Sequence, residues 1–213
     1  MGTVVNDNAL TGLSRKEIQM AKYLTCAETA KLVRAALKEA FPGVKFSVKS
    51  SVYAGGASIN VAYTDGPSAN QVEGIAKAFQ GAYFDGMTDY KGCNYNTLDG
   101  QEVRFGADFI FVNRKFTAPT LTGIVVDVCN KYGFDNEITI DGGGEYFGAY
   151  IKEVGPNADS LARGFGTQDI DRIIREAASK YSMDDAAESA TLNRVSFLGD
   201  DGYGYGAVGR LAA

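Results

Sequence analysis

Residues 25–79 read TCAETAKLVRAALKEAFPGVKFSVKSSVYAGGASINVAYTDGPSANQVEGIAKAF, and this stretch decides the fold. Thr25 and Glu28 have the spacing of a capping box, in which the hydroxyl takes a free helix amide and the carboxylate reaches back. Leu32, Val33, Ala36, Leu37, Ala40 and Phe41 then recur at helical spacing and make one apolar stripe. Pro42-Gly43 ends the helix, because the residue before proline avoids the α region and glycine takes the left-handed turn. Burying a large side chain is worth roughly 1.5–3 kcal/mol, so the stripe must dock. Its partner follows at once. Val44, Phe46 and Val48 alternate with Lys45, Ser47 and Lys49, Ala54–Ala57 turns the chain, and Ile59, Val61 and Tyr63 alternate again. Thr64–Pro67 breaks this hairpin. Ser68 and Gln71 open a second helix, with Val72, Ile75, Ala76 and Phe79 on its buried side.

Around this block the chain is ordinary in composition and unusual in what it omits. Its 213 residues are enough for one large domain or two small ones. There is no histidine, which removes the commonest general base and the commonest zinc ligand. Cys26, Cys93 and Cys129 are widely spaced and odd in number, as in free thiols of a reducing compartment. No run reaches the length of a membrane span, and the polar N-terminus lacks a signal-peptide profile, so a soluble cytoplasmic protein is expected. The net charge of −5 is uneven: residues 1–50 balance at +4 and the remainder at −9. A basic end on an acidic body can orient a protein on its partner.

Outward from the block, residues 1–24 form a loose segment in which Ser14 and Glu17 cap a short helix ending near Leu24. Ala82 to Gln101 reads as an aromatic-rich loop holding Tyr83, Phe84, Tyr90 and Tyr95 among Asp85, Asp89 and Asp99. Val103, Phe105, Ala107, Phe109 and Phe111 predict one long strand, with Ile110 and Val112 on its other face and burial on both sides near its end. A helix from Thr117 to Gly133 carries Leu121, Ile124, Val125 and Val128. A second glycine hairpin turns at Asp141–Gly144. A helix capped at Thr167 buries Ile170, Ile173, Ile174 and Ala177, Leu192–Leu198 is strand-like, and Gly202–Gly209 is a glycine-tyrosine turn. The expected class is α+β: two helix–hairpin–helix–strand units, residues 25–116 and 117–213, with antiparallel sheets covered by helices. Either an internal duplication or convergence on an ordinary order accounts for the repeat.

Candidate chemistry is sparse. The glycine pairs lie inside hairpins, with no phosphate-loop motif opening a helix behind them. Asp85, Asp89 and Asp99 lack the spacing of a calcium loop, and Asp-Gly turns explain two of them. The cysteines have no histidine partner, and serine-hydrolase signatures are absent. No catalytic set, metal or cofactor is expected. Binding residues are easier to nominate. Lys31, Arg34 and Lys38 share one helix face, and Lys45 and Lys49 share the wet face of the next strand. They fit phosphates or an acidic protein surface, although the outward positions of that strand offer no aromatic for base stacking. Tyr83, Tyr90, Tyr95, Tyr203 and Tyr205 are the candidate exposed aromatics for a protein partner.

ETAKLVRAALKEAFPGVKFSVKS, the glycine hairpin, VAYTDGPSANQVEGIAKAF and FDGMTDYK together resemble the large polyvalent protein-associated domain family, twenty-ninth type, over about residues 25–116. Tyr63 departs from the tryptophan expected before TDGP, but keeps a large aromatic there. The resemblance implies a protein of phages or conjugative elements, and no catalytic residues come with it. With the short chain and the missing catalytic set, the expectation is a small effector that blunts host defence, of anti-CRISPR or anti-restriction type, by binding a host defence complex. The alternative it leaves open is a nucleic-acid-binding accessory protein of the same elements.

With no ligand cluster to supply folding energy, thermal unfolding is expected to coincide with and without a strong chelator. A drop of several degrees on chelation would restore Asp85, Asp89 and Asp99 as a cation site.

Overall fold

The computed structural model describes residues 21–132, 138–143, 146–151 and 167–203. The chain enters on β1 (Lys22–Thr25), where a helix end near Leu24 was expected. The rest of that expected helix lies outside the described residues. Thr25 caps α1 (Cys26–Ala40) through the predicted box: its Oγ1 accepts from the Glu28 amide at 3.3 Å, and the Glu28 carboxylate accepts from the Thr25 amide at 2.8 Å. Val33, Ala36, Leu37 and Ala40 are wholly buried, and Phe41 closes the stripe. β2 (Ser47–Tyr53) and β3 (Gly56–Thr64) form the glycine hairpin. At its turn Gly55 has φ +87°, a conformation other side chains resist. α2 (Ala69–Ala76) opens on the Ser68–Gln71 box and tightens into a 3₁₀ turn ending at Phe79.

Beyond Phe79 the sequence-based reading needs correction at three places. The aromatic stretch is a hairpin, not a loop: β4 (Ala82–Asp85) pairs antiparallel with β5 (Tyr90–Leu98). Asp85 builds its turn by accepting the Met87 amide at 2.9 Å, and Asp89 takes φ +51°. The long strand is two strands in two sheets, β6 (Gln101–Gly106) and β7 (Phe109–Lys115), broken at Ala107–Asp108. After the break the parity inverts. Ile110 and Val112 face the core, while Phe109 and Phe111 face outward, with Phe111 51% exposed. β7 is therefore an edge strand with one wet face, not a central one. Finally, Leu192 sits in a helical turn, and the last strand begins only at Val195.

The remaining elements are α3 (Ala118–Tyr132), the hairpin β8 (Ile138–Gly143) and β9 (Tyr146–Ile151), α4 (Thr167–Lys180), α5 (Ala190–Asn193) and β10 (Val195–Asp200). One sheet runs β1-β6-β5-β10 with β4 also on β5, a second runs β2-β3-β7, and β8-β9 stands apart. The class is α+β, but the sheets are mixed, since β1 lies parallel to β6 and β3 parallel to β7. α1 and α2 pack on the inner faces of both larger sheets through Leu37, Ile59, Val61, Val72, Phe79 and Phe105. Leu121, Ile124, Val125 and Val128 of α3 meet Ile174 and Ala178 of α4 in a second cluster. Val33 to Phe79 is thus organised as predicted. A duplication is not confirmed, because β10 adds to the sheet of β5 and β6 instead of completing a second copy. Among the described residues no helix is long and apolar enough to cross a membrane.

Phe79 is fully buried, with its ring 5.6 Å from that of Phe105, so Phe79→Ala should cost about 3–5 kcal/mol in denaturant unfolding. Phe111→Ala should stay within about 0.5 kcal/mol. Equal losses would mean that β7 presents its other face to the core.

Candidate nucleic-acid interface

Among the described residues, the sheet β2-β3-β7 carries α1 and α2 on one face and no helix on the other. Its registers lay the outward residues in rows across the strands. Ser51, Ser58 and Phe109 form one row, Lys49, Asn60 and Phe111 the next, and Ser47, Ala62 and Asn113 the third. The central strand contributes only small or polar side chains, so the floor is low. Aromatic rings stand along β7 and a lysine stands on β2. Phe109 and Phe111 have ring centroids 6.4 Å apart at 36°. Lys91 Nζ approaches the Phe109 ring at 6.0 Å and pairs with Asp108 at 2.7 Å. Tyr53 is half exposed and lies over Gly56, where a Cβ would come within 3.1 Å of its ring and 2.5 Å of the Asp108 carboxylate. Lys115, two residues beyond Asn113, keeps the outward parity of the two phenylalanines.

The basic set expected from the sequence borders this face. Lys31, Arg34 and Lys38 are exposed along α1, and Lys45 and Lys49 are exposed beside and on β2. Arg34 is the hinge of the arrangement. Its guanidinium donates to the Val48 carbonyl at 2.8 Å, tying α1 to the open edge of β2. The lysines of helix and strand therefore lie on either side of one sheet edge.

The tyrosines lie elsewhere and do different work. Tyr83 is buried, not exposed, and donates to Asp201; Tyr90 donates to the same carboxylate at 3.0 Å, and the Cys93 amide at 2.8 Å. The Tyr83 ring occupies the space over Gly92, where a Cβ would sit 2.2 Å from it. Tyr203 packs 6.0 Å from the Tyr90 ring but is 78% exposed. Tyr95 is half-buried beneath the Arg104 guanidinium, 5.5 Å from its ring. Tyr205 lies outside the described residues. This cluster fastens the chain after β10 to the β4–β5 hairpin. The acidic candidates are also engaged: Asp99 holds Arg194 at 2.6 and 2.9 Å. Of the thiols, Cys26 and Cys129 are pushed up by burial, away from the thiolate a nucleophile needs.

Sequence reasoning missed Tyr53, Phe109, Phe111, Lys91 and Lys115. One signal was available: Asn113 and Lys115 share the parity of Phe109 and Phe111, which marks that face of β7 as wet.

Residues 24–117 match the family model described as Large polyvalent protein associated domain 29. The whole β2-β3-β7 sheet falls within the matched residues. The family is associated with the polyvalent proteins of phages and mobile elements. No curated protein and no solved structure matches the chain.

Burial pushes the Asp201 carboxyl up, but donation from Tyr83, Cys93 and Tyr90 outweighs it and leaves the group below the usual carboxylate range. A depressed folded pKa gives stability that is present above the unfolded value and lost as pH falls through the folded one. The melting temperature should therefore drop on acidification below about pH 4, and Asp201→Asn should lower it at neutral pH while flattening that acid limb. An unchanged acid limb would remove Asp201 from the account.

Proposed function

We propose that this is a non-catalytic, nucleic-acid-binding accessory protein of a phage or conjugative element, acting in the bacterial host cytoplasm. The observation that carries the reading is the Lys49–Asn60–Phe111 row on a sheet face that no helix covers among the described residues, bordered by the lysines of α1 and β2. Phosphate neutralisation supplies affinity, and an amide and aromatic rings beside it supply contacts to bases. Asp108, the carboxylate at one end of the face, is already taken by Lys91 and by the Ala57 amide at 3.0 Å. The other reading, inhibition of a host defence complex through exposed tyrosines, draws its support from the family context. Of its anchors, Tyr83 and Tyr90 are spent on Asp201.

Fluorescence anisotropy with labelled DNA tests the proposal. Affinity should fall steeply with salt, with a log–log slope of about −0.7 to −0.9 per phosphate contact. Lys45→Glu with Lys49→Glu should make that slope shallower and weaken binding at least tenfold at moderate salt. Binding absent at moderate salt, together with nuclease-resistant capture of a defence complex that Tyr203→Ala abolishes, would decide for inhibition.

A further inference from the structure

We propose that the outer face of β2-β3-β7 takes single-stranded nucleic acid in preference to duplex, with one base against Phe109, the next against Phe111, and phosphates along Lys49 and Lys115. The proposal rests on the nucleic-acid reading above and specifies its ligand. Spacing decides it. The two rings are 6.4 Å apart, as expected for alternate residues of one strand. Successive bases in a duplex are about 3.4 Å apart, with each face covered by its neighbour. Consecutive bases can reach both rings only if they are unstacked and splayed to about twice that spacing, which a single strand allows.

The surroundings fit the same ligand. Across the floor from Phe111 stands the Asn60 amide, whose donors and acceptor suit a base edge, and beyond it Lys49. Lys115 lies on the ring strand beyond Phe111, and Lys49 lies two strand spacings away, about 10 Å. A polymer running along β7 therefore meets one cation in line with its bases and another across the floor. Lys91 adds a cation at the Phe109 ring, and its partner Asp108 is neutralised in the process. The 36° between the rings fans the bases apart instead of clamping them. Ser47, Ser51 and Ala62 keep the floor free of bulk, while Ser58 beside Phe109 is buried. Asn60 offers an amide beside Phe111, but stacking on a phenylalanine accepts any base, so only weak sequence preference is expected.

The test compares a labelled single strand of about 12 nucleotides with its duplex, by anisotropy at moderate salt. The intact protein should favour the single strand. Phe111→Ala should weaken that binding about 5- to 150-fold with the salt slope unchanged, and Phe111→Trp should restore it. Phe109→Ala should act likewise, with thermal unfolding reporting that each variant is folded. Equal affinity for both forms, or indifference to both phenylalanines, would overturn this inference and leave general polyanion binding standing. No binding to either form would overturn both. Self-association abolished by Phe111→Ala, without oligonucleotide binding, would make the face an interface between two copies and overturn the proposal.

Discussion

Two residues, Ala107 and Asp108, set which side chains of β7 meet solvent. The chain leaves one sheet and enters another there, and the Ala107 carbonyl and the Asp108 amide, carbonyl and carboxylate are all engaged. The Gly81 amide donates to the Ala107 carbonyl at 2.8 Å, and the Asp108 amide donates to the Ala57 carbonyl at 2.8 Å. The Asp108 carbonyl accepts from Ala82 at 3.2 Å. Just beyond, buried Gln80 accepts the Ile110 amide at 3.1 Å through its side chain. Gly81 is required where it passes the sheet, since a Cβ there would stand 2.1 Å from the Phe105 carbonyl. Because these groups are bonded, a slip by one residue would orphan several of them at about 1–3 kcal/mol each. That cost holds Ile110 inward and Phe109 and Phe111 outward.

The C-terminal third is held to this frame by polar side chains more than by a shared apolar core. Arg114, at the far end of β7, is buried and donates to four carbonyls: Asp65 at 2.9 Å, Gly66 at 2.8 Å, Tyr181 at 2.7 Å and Ala178 at 3.3 Å. Two of these close α4, where unsatisfied carbonyls favour a cation. The Phe116 ring covers the guanidinium at 4.5 Å. At the other end of the domain Glu39 accepts from Ser189 and twice from Thr191, each at 2.8 Å, which seats α5 against α1. These donors hold the Glu39 carboxyl below its ordinary range. Arg114, being buried, is expensive to strand, so that attachment is specific.

Local chemistry was legible and long-range pairing was not. Both capping boxes, the α1 stripe and the glycine hairpin follow from spacing within a few residues, and the structure keeps each of them. β4 and β5 escaped notice because YKGCNYNTL has neither alternation nor β-branched bulk; it is a strand because β4, β6 and β10 pair with it. The break at Ala107–Asp108 is likewise invisible locally, since VRFGADFIF keeps a plausible period across it. At the candidate site Lys45 and Lys49 were found because they alternate beside a legible strand, whereas Lys91 and Lys115 were not. The rings were missed because their exposure depends on a crossing fixed by Gln80, Gly81 and Ala57, which are remote in the chain.

The acidic total does not stand against a polyanionic ligand. Charges separated by more than a Debye length, about 8 Å at physiological salt, are largely screened from one another, so the local set governs contact. Several carboxylates are also tied up away from the sheet face: Asp201 by two phenols and an amide, Asp99 by Arg194, and Glu39 by Ser189 and Thr191. On the face itself Asp108 is paired, while Lys49 and Lys115 share one surface with Phe109 and Phe111. Lys49 and the rings stand two strands apart, too far to stabilise one another directly. A nucleotide, which has both a π-face and a negative charge, is the chemistry that would engage both in the proposed site.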